Sequence, residues 1–161
     1  MLERSSVPRT PLSLPGARVL VIESPYYQDV AEALLAGAMA EIEAAGATCE
    51  KVTVPGALEI PQALAIFMDS DASIDFDGAV ALGCVIRGET GHYDIVCNNA
   101  NLWLYTVANE FGMPVGNAIL TVDTHEQAMA RAAGGRAGKG GDAAYACLSL
   151  IALRRKLQSD D

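Results

Sequence analysis

Four times along the chain a short apolar run of strand length is followed by a stretch with helical period, and this alternation restricts the fold more than any other feature. Arg18–Glu23 is a continuous apolar run, and Gly78–Gly83 is another, prolonged through Cys84, Val85 and Ile86. Such runs mark strands covered on both faces. Cys49–Val54 and Val115–Val122 supply the second and fourth strands. Between the first two strands, Val30, Leu34, Ala38, Ile42 and Ala45 recur near helical spacing, and Gly46 follows as a left-handed terminator. Ile60, Leu64, Phe67 and Met68 outline a second helix with Pro61 tolerated in its first turn, and residues 92–111 a third. Thr124-His-Glu-Gln127 has the form of a capping box and opens a short helix carrying Arg131. Residues 134–141, all Gly, Ala, Arg and Lys, read as a flexible basic turn. The last helix is expected to start near Asp142 with Ala143, Ala146, Cys147, Leu150, Leu153 and Leu157 on one face.

Repeated strand–helix units of this kind predict parallel strands, right-handed crossovers and helices on both faces of one sheet. The expected architecture is therefore a three-layer α/β/α sandwich around a four-stranded parallel sheet. Residues 1–17, with Pro8, Pro11 and Pro15, read as an irregular N-terminal arm, and residues 18–161 as a single domain.

Composition narrows the function classes. At 161 residues with 51% hydrophobic and 19% charged content, the chain is long and apolar enough to bury a core. Its formal net charge of -9 repels nucleic acid and anionic lipid, so neither is expected as a partner. The arm has no apolar segment resembling a signal peptide or membrane span. Cys49, Cys84, Cys97 and Cys147 form neither a CxxC pair nor a zinc spacing, and three of them lie in apolar runs. That usage suits buried thiols in a reducing cytoplasm and implies no metal site.

Ligands of open α/β sheets bind beyond the carboxyl ends of the strands. Here that rule selects Ser24–Tyr27, Pro55–Glu59, Cys84–His92 and Val122–Thr124. Gly88-Glu-Thr-Gly91, just before a helix start, has the backbone and hydroxyl donors that a phosphate or other oxyanion needs. An ordinary Gly-rich turn with Thr90 as N-cap satisfies the same residues. His92 follows directly, with an imidazole able to exchange a proton near neutral pH. His125, inside the capping box, reads as a surface residue. Arg131 and Lys139 beside the glycine turn are either solvated cations or phosphate neutralisers on an otherwise acidic protein.

These segments resemble the lumazine synthase family. The likeness lies in Val54-Pro-Gly-Ala-Leu-Glu-Ile-Pro61, in Leu82-Gly-Cys-Val-Ile-Arg-Gly-Glu-Thr-Gly-His-Tyr-Asp94, in Pro114–Gln127, and in the stretch from Arg131 through Lys139 to Asp142. The resemblance implies a flavodoxin-like fold and a transferase of riboflavin biosynthesis. That enzyme condenses 5-amino-6-ribitylaminouracil with 3,4-dihydroxy-2-butanone 4-phosphate, giving 6,7-dimethyl-8-ribityllumazine and phosphate without metal or organic cofactor. It further implies that Tyr26, Ala57, Leu58, Glu59, Cys84, Val85, Ile86 and Asn117 line the pyrimidine and ribityl pocket. Gly88, Glu89, Thr90 and Arg131 would hold the phosphate, His92 would transfer protons, and Lys139 would add a cation, both cations standing on the phosphate side with His92. Leu58 stands where a larger aromatic is common, and Asn117 where many relatives carry Phe. The implied state is a cytoplasmic homopentamer with sites shared between subunits, or twelve such pentamers in a shell, with riboflavin synthase as a further partner. A flavin- or lumazine-binding carrier of the same fold is the competing reading.

Overall fold

The computed structural model describes residues 8–159; the expected arm thus lies outside the described residues up to position 7. Strands β1 (Arg18–Glu23), β2 (Thr48–Thr53), β3 (Gly78–Ile86) and β4 (Val115–Val122) form one sheet in the order β2-β1-β3-β4, and all three pairings are parallel. Helices α1 (Gln28–Ala44), α2 (Glu59–Met68), α3 (His92–Phe111), α4 (His125–Ala132) and α5 (Lys139–Ser159) complete the three-layer sandwich. A short 3-10 turn, Asp71–Asp75, precedes β3 without having left a sequence signal.

Successive side chains of a strand point to opposite faces. Val19 and Val21 therefore join the layer of α1, α4 and α5, through Leu34, Ile42, Ala128, Ala132, Cys147 and Leu148. Leu20 and Ile22 meet Ile60 and Leu64 of α2 and Ala100 and Leu104 of α3 on the other side. The continuous apolar runs are those of β1 and β3, the two inner strands, and β2 at the edge half-buries only Cys49 and Val52, one toward each layer. Gly46 and Gly112 end α1 and α3 with φ of 75° and 60°, as terminators free of a Cβ penalty.

Two expectations about the C-terminal third are corrected. The residue 134–141 segment is not a free turn: Gly135–Ala137 forms a 3-10 turn, and α5 starts at Lys139. A Cβ on Gly140 would overlap the Leu34 carbonyl of α1, and one on Gly141 would overlap that of Arg136. These glycines serve close backbone approach and not mobility. The buried face of α5 is Ala143, Ala144, Cys147, Leu148 and Ile151, whereas Ala146, Leu150, Leu153 and Leu157 are exposed. Both rows have helical spacing, and the choice falls to the small residues because only they let α5 lie against α1 and β4.

Residues 8–17 have no regular structure, yet they are tied to their own domain. Leu14 is buried and its N–H donates to the Ala45 carbonyl. Arg9 pairs with Asp142 and stands 3.5 Å from Glu41, whose nearly buried carboxylate also takes Arg136 Nε at 2.7 Å. A buried carboxylate needs such partners, since an unpaired one is costly.

Candidate functional site

The sheet order reverses direction of winding between β1 and β3, which leaves a crevice at their carboxyl ends. A cleft of about 330 Å³ occupies it. Ser24, Tyr26 and Tyr27 enter from the end of β1, Gly56 to Glu59 from the turn before α2, and Cys84 to Ile86 from the end of β3. His92 and Val96 enter from the first turns of α3. Val96 is the one lining residue outside the segments selected from sequence; it stands one turn from His92 on the same helix face, which is the signal that finds it. A larger cleft of about 480 Å³ lies at the amino ends of the strands, around Met113, Leu153 and Arg154, where Arg154 is the only ionisable group.

Each wall follows from local sequence. Pro25 ends β1, so Tyr26 stands exposed and meets Tyr27 edge-on at 5.0 Å and 68°. Gly56 leaves space for the Glu59 carboxylate, whose Oε1 would lie 3.1 Å from a Cβ there. Arg87 fixes the approach to α3: its Nε donates to Asp123 at 2.9 Å, its Nη1 stands 3.9 Å from Asp94, and its guanidinium covers the Tyr93 ring at 4.2 Å. The first turn of α3, with His92, is thereby tied to the end of β4. Thr90 Oγ1 accepts from the His92 N–H at 3.4 Å, so the hydroxyl contributes to the turn while Gly91 holds the N-cap position. Gly88, Glu89 and Thr90 are exposed on the loop beside the cleft and outside its lining.

The remaining expected site residues are elsewhere in the protomer. Arg131 lies on α4, in the layer across the sheet from α2 and α3, and its Nη1 donates to the Gln127 carbonyl at 3.0 Å. Lys139 opens α5 and stands 3.6 Å from Asp142. Asn117 is on β4, bonded to Asn101. The expected grouping of Arg131 and Lys139 with His92 on one chain is not what the protomer displays, because α4 and α5 pack on α1 while His92 is carried on the opposite face. The Val122–Thr124 segment is used for capping: Thr124 Oγ1 accepts from Gln127 N–H at 3.1 Å, and the Gln127 side chain accepts from Asp123 N–H at 2.8 Å. His125 is exposed as expected but reaches Asp29 at 2.7 Å, joining the starts of α4 and α1, and this hydrogen bond holds the Asp29 carboxyl below its usual range.

Cys84 is buried in the cleft wall, and burial, reinforced by the charge of Asp29, pushes its thiol up to about 11. A thiol so placed is protonated at neutral pH and is no nucleophile. With iodoacetamide at pH 8, native Cys84 should alkylate on the order of 10²-fold more slowly than in the urea-unfolded chain, as its thiolate fraction requires. Rapid labelling of the folded protein at Cys84 would show an activated cysteine. Among the described residues no cluster of His, Cys, Asp and Glu is arranged to hold a metal ion, and no helix is long and apolar enough to cross a membrane.

The cleft thus combines an aromatic ledge, an apolar strand end, one carboxylate and one imidazole beside a glycine loop at a helix N-terminus. It suits a flat polar ring with an oxyanion-bearing neighbour and a proton-transfer group. Comparison with known proteins agrees. Residues 16–155 match the family model described as 6,7-dimethyl-8-ribityllumazine synthase. A protein of that name from Methylorubrum extorquens strain PA1 is 57% identical over 145 residues, covering 89% of this chain and 84% of the relative. One from Methylobacterium radiotolerans is 54% identical over 143 residues, with 89% and 85% covered. "6,7-dimethyl-8-ribityllumazine synthase 1" of Rhodopseudomonas palustris is 51% identical over 144 residues, with 88% of both chains covered. The cleft therefore sits in a chain that belongs to the 6,7-dimethyl-8-ribityllumazine synthase family.

Proposed function

We propose that this protein is the synthase its family is named for, a transferase that condenses 5-amino-6-ribitylaminouracil with 3,4-dihydroxy-2-butanone 4-phosphate in the penultimate step of riboflavin biosynthesis. The observation that carries the reading is the cleft itself, which gathers Tyr26, Ala57–Glu59, Cys84–Ile86 and His92 at one strand-end crevice within the matched segment. Tyr26 stacks on the pyrimidine, and the ends of β2 and β3 line the ring and ribityl chain. Gly88, Glu89 and Thr90, at the start of α3, receive the phosphate with Arg131.

The chemistry asks little of a nucleophile. The substrate's amine adds to the ketone, water leaves to give the imine, inorganic phosphate is expelled, and the second nitrogen closes the ring with loss of water. Each step moves a proton, which His92 exchanges at the cleft mouth. Orientation of two bound reactants lowers the barrier by several kcal/mol, up to about 7–11 in ideal geometry. No organic cofactor or metal is required.

The protein acts in the cytoplasm as a homopentamer, alone or in a shell of twelve, with riboflavin synthase as the next enzyme. Support for assembly comes from large apolar side chains left exposed on one protomer, among them Ile66, Leu102, Trp103 and Phe111 on α2 and α3 and Leu150, Leu153 and Leu157 on α5. A set this large marks an association surface. Asn117 and Arg131 then reach the cleft of a neighbour.

The test is a direct assay. Purified protein given both substrates should release phosphate and form a fluorescent lumazine. His92→Ala should lower turnover about 10- to 10²-fold, the modest end of general acid–base effects. No product from the wild-type protein would sink the proposal, and an unaltered turnover in His92→Ala would remove that residue from the reaction.

A further inference from the structure

β4 is a terminal strand of the sheet, and Asn117 and Asn101 form a polar pair at its free edge. Resting on the shared-site reading above, we propose that Asn101 is a positioning residue that fixes the polarity of the Asn117 amide. The amide then offers a hydrogen-bond donor to a ring carbonyl of the pyrimidine held by the neighbouring protomer.

The amide orientations follow from the partners. Asn101 Nδ2 donates to the Cys97 carbonyl one turn earlier in α3, at 2.8 Å. A carbonyl only accepts, so the NH₂ group of Asn101 faces the helix and its Oδ1 faces the strand. Asn117 Nδ2 donates to that Oδ1 at 2.6 Å. On its other side, Asn117 Oδ1 accepts from the Ile119 N–H at 2.8 Å, a backbone donor of the outer strand that no sheet neighbour takes. Every flip of either amide would set donor against donor or acceptor against acceptor. Asn117 is half-buried, and with Oδ1 turned to the Ile119 backbone it presents the second hydrogen of Nδ2, beside the one lone pair left on Oδ1. A Phe at this position would offer a ring face with no such preference.

The ligand chemistry is therefore selective. A pyrimidine carbonyl matches a fixed N–H donor, whereas a ring N–H does not. A ribityl hydroxyl accepts from a donor and also donates to an acceptor, so replacing the donor distinguishes it from a carbonyl. A site built to pair with a polar group discriminates because the mismatched partner is left unsatisfied.

The experiment is steady-state kinetics on the assembled wild-type protein, Asn117→Ala, Asn117→Asp, Asn101→Leu, Asn101→Asp and the Asn101→Leu/Asn117→Ala double variant, with folding of each checked by circular dichroism. Asn117→Ala and Asn101→Leu should each raise KM for the pyrimidine roughly 3- to 10-fold, as loss of one neutral hydrogen bond does, leaving kcat and the KM for the phosphate substrate nearly unchanged. Asn117→Asp should be worse than Asn117→Ala, on the order of 10²-fold, because it sets an acceptor against the carbonyl. Asn101→Asp keeps an acceptor toward Asn117 but gives up the bond to the Cys97 carbonyl, and should restore part of the affinity lost in Asn101→Leu. In the double variant the Asn101→Leu effect should vanish, since it acts only through Asn117. Additive effects, or Asn117→Asp binding the pyrimidine as well as Asn117→Ala, would overturn the assignment while wild-type activity leaves the synthase reading intact. An inactive wild-type protein would overturn both.

Discussion

Chains of His92→Ala and chains of Arg131→Ala, each impaired alone, should recover activity when dissociated together and reassembled. The expectation rests on where the protomer carries its cations. His92 opens α3 on one face of the sheet and lines the cleft, whereas Arg131 is on α4 in the layer packed against α1 and α5. A phosphate bound at the Gly88–Thr90 loop would need the guanidinium from another copy. Arg131→Ala should lower kcat/KM for the phosphate substrate about 10- to 10²-fold, as loss of a charge-assisted contact does, and Arg131→Lys should restore only part because the two-pronged fork is lost. In a random mixture, a site is complete when its His92 comes from one variant and its Arg131 from the other. About a quarter of interfaces meet that condition, so activity should climb toward about a quarter of wild type. Reassembled mixtures as inactive as their parents, with subunit exchange demonstrated by mass-tagged chains, would place Arg131 and His92 in the same chain's site.

Gly140→Ala should destabilise the protein severely although it adds a single methyl group to a helix. At most helical positions alanine is the better residue, by about 1 kcal/mol. Here the added Cβ would overlap the Leu34 carbonyl oxygen and stand 2.8 Å from its carbon, backbone against backbone. No side-chain rotation relieves that contact, so α5 must move away from α1 and open the layer containing Leu34, Ala143 and Cys147. Overpacking typically costs about 1–3 kcal/mol, and a backbone clash belongs at or above the upper figure. The melting temperature should fall roughly 6–12 °C at about 2–4 °C per kcal/mol for a chain of this size. Gly88→Ala is the control: nothing lies within 4 Å of its Cβ, and its melting temperature should stay near wild type. Equal melting temperatures for Gly140→Ala and wild type would show that the α1–α5 contact is looser than described.

Sequence alone determined the layer order of this protein because hydrophobic period is a local property. β1 and β3 read as continuous apolar runs since each is covered on both faces, and a long helix over 92–111 could be placed after the Gly-bearing loop. The strand-end rule then found the segments of the cleft, because in a parallel sheet the connection after each strand must emerge at one edge. What sequence could not decide was anything set by contact between distant backbones. Gly134 to Gly141 looks like a mobile turn until the α1 backbone is placed beside Gly140, whose Cβ would overlap the Leu34 carbonyl. The outward row of α5 has the same period as the buried row, and only the small residues facing α1 and β4 break the tie. The reading of Arg131 and Lys139 beside His92 failed for the same reason. Both follow the fourth strand, but α4 and α5 return on the far face of the sheet, and sequence position carries no information about which face a crossover takes. The Asn101–Asn117 pair was illegible too, since residues 16 apart meet only after α3 has been laid on the sheet face that Asn117 shares with Val115 and Ile119.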